Sequence, residues 1–336
     1  DGVQTCALPI AALTLAGCTA PTAPATTAAS AGASAAACPP DALCKVGAVV
    51  KPTDGRRYKI GVSFAVLDQF LQNVADGMKA RAAEAGVDLT IVAAQSRSDV
   101  QLNQVQDFIA AKMDAIIVLP QTTDATGPIT SAVRGAGIPL VYVNRRPSAL
   151  PDGVPYVGSD EKYAGELQGG FLAKALNNTG NVVILQGDPA QEATRLRTQG
   201  CQETVEKAGL KVIDSQAGSW AREKGLSITE TWLQSGKKID AICSNNDEMA
   251  LGAIQALQNA GKLAQVKVVG VDATKDGQAA VKAGTLAATV FQDAKGQGSG
   301  GIDAAVQLAN GGKVAAVLDI PFELVTADNL AQFAGR

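Results

Sequence analysis

From Tyr58 onward, short apolar runs alternate with segments whose apolar residues recur at helical spacing. The runs at 59–66, 88–94, 115–119, 139–143, 181–185, 211–214, 239–243, 267–271 and 287–291 are rich in Val and Ile and predict strands. Amphipathic helices are predicted near 70–85, 98–111, 126–136, 161–176, 192–208, 222–235, 247–260, 276–283 and 294–310. Several of these close on Ala-Gly or Asn-Gly (Ala85-Gly86, Ala136-Gly137, Ala208-Gly209, Ala260-Gly261, Asn310-Gly311), where a glycine suits the end of a helix. Ser98-Asp99-Val100-Gln101 fits a capping box. Strand and helix in strict alternation is the pattern of βα units around a parallel sheet. About nine strands are more than one sheet takes comfortably, so two doubly wound α/β lobes are expected. A weak internal echo agrees: Ala82-Ala83-Glu84-Ala85-Gly86-Val87-Asp88-Leu89 recurs in form as Val205-Glu206-Lys207-Ala208-Gly209-Leu210-Lys211-Val212. The first lobe would cover 58–158, and the second would begin at Ser159-Asp160.

The pattern ahead of Tyr58 is different. Ala11-Ala12-Leu13-Thr14-Leu15-Ala16-Gly17-Cys18 has the form of the end of a bacterial lipoprotein signal peptide, with a lipobox at Leu15-Ala16-Gly17-Cys18 and Cys18 as the residue to be lipidated. Residues 1–17 therefore read as a signal-peptide remnant that lies outside the fold. Within it, 1–10 resemble the translation of a sequencing adapter more than the basic start of a leader. Residues 18–57, dominated by Ala, Thr, Ser and Pro, are expected to form a disordered tether to the lipid anchor. No other stretch approaches the roughly 20 apolar residues of a membrane span.

Composition narrows the chemistry. A net charge of −3 gives no basic patch for nucleic acid. The 336 residues contain no histidine, which removes Ser-His-Asp and Cys-His catalysis and His-ligated zinc. The six cysteines form no metal-binding pattern. Cys38 and Cys44 could close a small disulfide loop in an exported protein or remain unpaired, whereas Cys201 and Cys243 read as buried small hydrophobes. No Gly-rich phosphate loop ending in Lys-Ser/Thr is present. No metal, no cofactor and no enzymatic activity are expected.

Candidate chemistry sits where the strands end. Ile138-Pro139-Leu140-Val141-Tyr142-Val143 stops at Asn144-Arg145-Arg146-Pro147, and ligands of open α/β sheets bind outside the carboxyl ends of the strands. The other strands lead to Asp68-Gln69-Phe70-Leu71, to a stretch from Asp188 to Arg197, to Trp220, to Asn245-Asn246-Asp247-Glu248, to Asp272 and to Gln292-Asp293. Flat aromatic faces among Asn, Asp, Arg and Gln suit a sugar or cyclitol, whose C–H faces need apolar contact while its hydroxyls need donors and acceptors. Plainer roles stay open. Phe70 and Trp220 fit core aromatics, Asp68 and Asp247 fit helix N-caps, and Arg197 fits a solvated helix pair with Arg195 as its rival. Arg146 is read as a surface charge. Asp272, an isolated carboxylate after Val268-Val269-Gly270-Val271, is the hardest to explain without a ligand.

Tyr58 to about Thr326 resembles the type I periplasmic sugar-binding proteins of the ribose-binding kind. The resemblance rests on Asn246-Asp247-Glu248-Met249-Ala250-Leu251-Gly252, Val269-Gly270-Val271-Asp272, Val143-Asn144-Arg145 and Arg197-Thr198-Gln199-Gly200. It implies two doubly wound parallel-sheet lobes joined by a multi-strand hinge, with crossings near 158–160, 292–293 and 320–323. The N-terminal lobe would then be 58–158 plus 293–320, and the C-terminal lobe 159–292 plus 321–336. Family ligand positions carry over to Asp68, Phe70, Leu71, Asn144, Arg145, Arg197, Trp220, Asn246, Asp272 and Gln292. Asn144 stands where the family often has Asp, and Leu71 where ribose binders usually have a second Phe. The calcium loop of the galactose branch is not evident in Ala273-Thr274-Lys275-Asp276-Gly277-Gln278. The Val-Asn-Arg-Arg-Pro form is most similar to the inositol and rhizopine branch. The resemblance implies a monomeric, extracytoplasmic, lipid-anchored component of an ABC importer that binds a monosaccharide or cyclitol and docks on a membrane permease. A sensor for a membrane receptor is the alternative. A repressor's effector domain would need a DNA-binding helix-turn-helix ahead of residue 58, where a lipobox and a polar tract stand instead.

Overall fold

The computed structural model describes residues 1–2, 38–39 and 42–335. Cys18 and all but the first two residues of the leader lie outside them. The first part of the chain runs β1 (Ala42–Leu43), β2 (Lys59–Phe64), α1 (Gln69–Ala85), β3 (Asp88–Ala93), α2 (Ser98–Ala110), β4 (Ala115–Leu119), α3 (Gly127–Gly135), β5 (Leu140–Val143) and β6 (Tyr156–Gly158). Next come α4 (Glu161–Ala175), β7 (Asn181–Gln186), α5 (Glu192–Ala208), β8 (Lys211–Ala217), α6 (Arg222–Gln234), β9 (Ala241–Ser244) and α7 (Asp247–Asn259). The rest is β10 (Lys267–Val269), α8 (Lys275–Lys282), β11 (Thr289–Phe291), α9 (Ala294–Ala309), β12 (Lys313–Val314), β13 (Val317–Asp319) and β14 (Glu323–Val325).

Two parallel sheets organise these elements, one of order β13-β6-β5-β4-β2-β3 and one of order β10-β9-β7-β8. The central strand β4, Ala-Ile-Ile-Val-Leu, is buried on both faces, as a parallel strand covered by helices must be. Its side chains divide by the strand period of two. Ala115, Ile117 and Leu119 join a core with α1 and α9, and Ile116 and Val118 join one with α2 and α3. The second sheet repeats this arrangement. Val183, Leu185 and Ile242 pack with α6 and α7 on one face, while Val182, Ile184 and Cys243 pack with α4 and α5 on the other. The antiparallel pair β11-β14 adjoins the second sheet through bridges from Ala288 to Val269 and from Phe291 to Asp272. Between the sheets the chain passes from β6 to α4, from β11 to α9 and from β13 to β14.

Three expectations are revised. Residues 42–57 do not trail away as tether: β1 pairs with β12, and Leu43, Val46, Val49 and Val50 pack against the first core. Val50 N donates to Asp303 Oδ1 at 3.1 Å and Thr53 N to Asn310 Oδ1 at 3.0 Å. Averaged composition concealed these few apolar residues, which are enough to hold the segment against α9. Cys201 and Cys243 are buried as expected, but they are joined as a disulfide between α5 and β9; Cys38 and Cys44 form a second disulfide. Strands β6, β13 and β14, three residues each, lie outside the predicted runs.

Candidate ligand-binding cleft

Every strand-end residue singled out from the resemblance lines one cavity, which contains about 410 Å³ of space outside protein atoms, its open mouth included. Asp68, Phe70 and Leu71 come from the turn after β2 and the start of α1, and Asn144 and Arg145 follow β5. From the second sheet and its helices come Arg197 on α5, Trp220 after β8, Asn246 after β9 and Asp272 after β10, and Gln292 follows β11 of the adjoining pair. Glu161, Gln191 and Ala193 complete the lining. Parallel strands all point their carboxyl ends the same way, so residues distant in sequence meet at one rim.

On the first lobe, Asp68 both caps and lines. Its Oδ1 accepts from Leu71 N at 2.8 Å, burial pushes its carboxyl up, and the Leu71 amide and the Arg145 charge pull it down. Asn144 holds a left-handed backbone at φ 63°, with its Nδ2 donating to Gln297 Oε1 at 2.9 Å. One amide donor is therefore directed into α9. Arg145 is buried and donates to Pro120 O at 3.3 Å; burial lowers its pKa, and the Asp68 and Asp188 carboxylates oppose that. Arg146 and Arg195 are both exposed.

The second lobe is organised on Arg197. Its Nε donates to Glu161 Oε2 at 2.6 Å, Nη1 to Asn245 O at 2.8 Å and Nη2 to Gln292 Oε1 at 3.2 Å. Asp272 Oδ1 stands 3.7 Å from Nη1. Burial works against the guanidinium charge, but Glu161 and Asp272 more than offset it and raise the Arg197 pKa. Helices α4 and α5 can bring Glu161 and Arg197 together because they touch through glycine: a Cβ on Gly165 would lie 2.2 Å from Arg197 O. Trp220, at φ 69°, donates from Nε1 to Gln191 Oε1 at 3.0 Å, and its ring covers Gly187, where a Cβ would come within 2.1 Å of it. Asn246 caps α7 by accepting from Met249 N at 3.0 Å, and its Nδ2 donates to Trp220 O at 3.2 Å.

Asp247 is neither the cap nor part of the lining. It is wholly buried behind the cavity and bound to Thr274 and Thr289, and burial pushes its carboxyl up to about 7. The N-cap geometry falls to the residue before it. Asp272 has a φ of 116°, and burial pushes its carboxyl well above the usual range, with Arg197 pulling back. Two buried polar atoms of the lining have no hydrogen-bond partner, the acceptor Glu161 Oε1 and the donor Gln292 Nε2. The arrangement offers flat apolar faces, charged donors and carboxylate acceptors within one small volume, which is chemistry for holding a polyhydroxylated ring. Sequence reasoning missed Glu161 and Gln191. The first follows directly on a predicted crossing, and the second lay unmarked within the stretch from Asp188 to Arg197.

The two lobes also touch outside the cavity. Arg195 Nη2 reaches Asp124 Oδ1 at 3.1 Å and Ser148 Oγ at 2.9 Å, while Glu192 N donates to Thr123 Oγ1 at 2.9 Å. Each of these bonds joins a residue on the side of the first sheet to one on the side of the second. Arg195→Ala is therefore expected to weaken binding of every ligand by the same factor, about two- to fivefold as an exposed pair allows. Calorimetry at low and high salt checks this: the loss should shrink as salt screens the pair, and an altered ranking of ligands would reject it.

Comparison with known proteins agrees with this geometry. A family model described as a periplasmic binding protein domain matches residues 60–313. A putative rhizopine-binding protein of Rhizobium meliloti is 43% identical over 298 residues, covering 86% of this chain and 96% of the relative. The ribose import binding protein of Salmonella typhimurium is 34% identical over 256 residues, covering 76% and 86%. An ABC transporter solute binding protein of Bacillus halodurans, solved with bound myo-inositol, superposes with a TM-score of 0.80 at 42% identity, covering 84% of this chain and 98% of that one. With the two-sheet fold and a cavity at the strand ends already in place, these matches show that the chain belongs to the periplasmic binding protein family.

Proposed function

We propose that this protein is the extracytoplasmic binding component of an ABC importer and that it takes a cyclitol, an inositol above all, between its two lobes. The observation that carries the reading is the convergence of Phe70, Trp220, Arg145, Arg197, Asp68, Asp272, Asn246 and Gln292 on one cavity. Phe70 and Trp220 grip the ring's faces; the guanidiniums donate to its hydroxyls and the carboxylates accept from them. A six-membered ring with a hydroxyl on every carbon uses both kinds of partner all around. The relatives support that choice, with rhizopine named for one and myo-inositol bound in another. The lobes, 58–158 plus 293–320 with 42–57 packed on it, and 159–292 plus 321–336, open and close about the three crossings, and the closed pair presents the surface a permease reads. The protein acts as a monomer, with Cys18 as its lipid anchor on the outer face of the membrane.

A thermal-shift panel of inositols, pentoses and hexoses tests this. A ligand at a hundred times its Kd adds about 2.7 kcal/mol and should raise Tm by roughly 5 °C or more. An inositol is expected to give the largest rise. A larger rise with ribose would transfer the site to pentoses, and no rise with any of them would reject the reading.

A further inference from the structure

Asp272 is held in the cavity by an unusual piece of backbone. Asp272 at φ 116° and Ala273 at φ 49° are successive non-glycine residues in the left-handed region. Such backbone persists only where its surroundings over-determine it. Asp272 N donates to Val290 O at 2.7 Å and Gln278 Nε2 to Ala273 O at 2.8 Å, and the flanking residues are also held by one buried residue, Asp247. Asp247 Oδ2 accepts from Thr274 N at 2.9 Å and from Thr274 Oγ1 at 3.2 Å. Asp247 Oδ1 accepts from Thr289 Oγ1 at 2.7 Å, and that hydroxyl in turn accepts from Ala273 N at 3.2 Å. The Asp247 backbone N–H donates to Val271 O at 2.7 Å. The residues on both sides of Asp272 are thus tied, directly or through one hydroxyl, to Asp247.

The sequence makes room for this carboxylate. A Cβ on Gly270 would lie 2.2 Å from Asp247 Oδ1, and one on Gly277 would lie 2.0 Å from Oδ2. Asp247 itself does not line the cavity.

We propose that Asp247 is a positioning residue for ligand binding, locking the turn that aims Asp272 into the cavity. The proposal rests on the reading of Asp272 as a ligand group. Both oxygens of Asp247 face donors, so alanine leaves Thr274 N without its acceptor and frees the Thr289 hydroxyl, which unlocks Ala273 as well.

The test measures myo-inositol affinity by calorimetry at pH 8, because burial pushes the Asp247 carboxyl up to about 7. Asp247→Ala is expected to weaken binding at least about tenfold. Asp247→Asn, which can keep an oxygen toward Thr274 N, should recover part of the loss. In an Asp272→Ala background, Asp247→Ala should cost no further affinity while still lowering Tm, because the carboxylate it positions is gone. Should Asp247→Ala fail to fold, Thr289→Val removes one link of the same lock and should weaken binding about threefold by the same logic. Wild-type affinity in Asp247→Ala, or in Thr289→Val where that variant stands in, overturns the positioning role. So does an equal loss with and without Asp272. Wild-type affinity in Asp272→Ala alone overturns the ligand assignment of Asp272 and this proposal with it.

Discussion

Arg197→Ala is expected to reduce ligand affinity at least about a hundredfold, near 2.7 kcal/mol, and to lower stability at the same time. The side chain is buried and uses three of its five N–H donors on Glu161, the Asn245 carbonyl and Gln292, with Asp272 close by. Truncation leaves the Glu161 carboxylate buried with no cation, and breaking such a pair costs roughly 3–5 kcal/mol. A fall in Tm of about 6 °C or more should accompany it. The two losses can be separated. Pairing Arg197→Met with Glu161→Gln removes both charges, so much of the stability should return while the affinity does not. Calorimetry and thermal melts on both variants check this. Full affinity in Arg197→Ala would remove Arg197 from the site.

Asp272→Ala is expected to lower affinity at least about tenfold, near 1.4 kcal/mol, since ligand hydroxyls would lose a buried acceptor. Its effect on the ligand-free protein runs the other way. Burial raises the Asp272 pKa above its ordinary 3.8. The folded state therefore holds the proton more tightly than the unfolded chain, and stability falls as pH rises past 3.8 and through the raised value. Removing the carboxyl should leave the ligand-free Tm at pH 8 unchanged or higher. A variant that lost stability and kept its affinity would assign Asp272 to the fold instead of the ligand.

The lobes were legible where a strand is a short β-branched run buried on two faces, as in β4, and where a helix repeats apolar residues at helical spacing, as in α7. Residues 115–119 and 192–208 match β4 and α5 to the residue. The cleft was legible for a related reason: a polar or aromatic residue ending an apolar strand lies where parallel sheets expose their carboxyl edge. The packing of residues 42–57 was not legible, since only Leu43, Val46, Val49 and Val50 carry it. Nor was the pairing of Cys201 with Cys243, because a bond between residues 42 apart depends on where α5 lies against β9.

The alternation of strand and helix, the division into two sheets and the set of polar strand ends from which a site could be made are all readable along the chain. Those are local properties, written in periodicity and in the residue that stops each run. How neighbouring polar residues divide the work is set by packing between elements. Asn246 caps α7 and reaches the cavity, while Asp247 turns inward to the threonines behind it. Arg197 is buried against Glu161, while Arg195, two residues earlier, reaches across to Asp124. Side chains one or two positions apart point in different directions around a helix or turn, and what each meets there is set by elements far away in sequence.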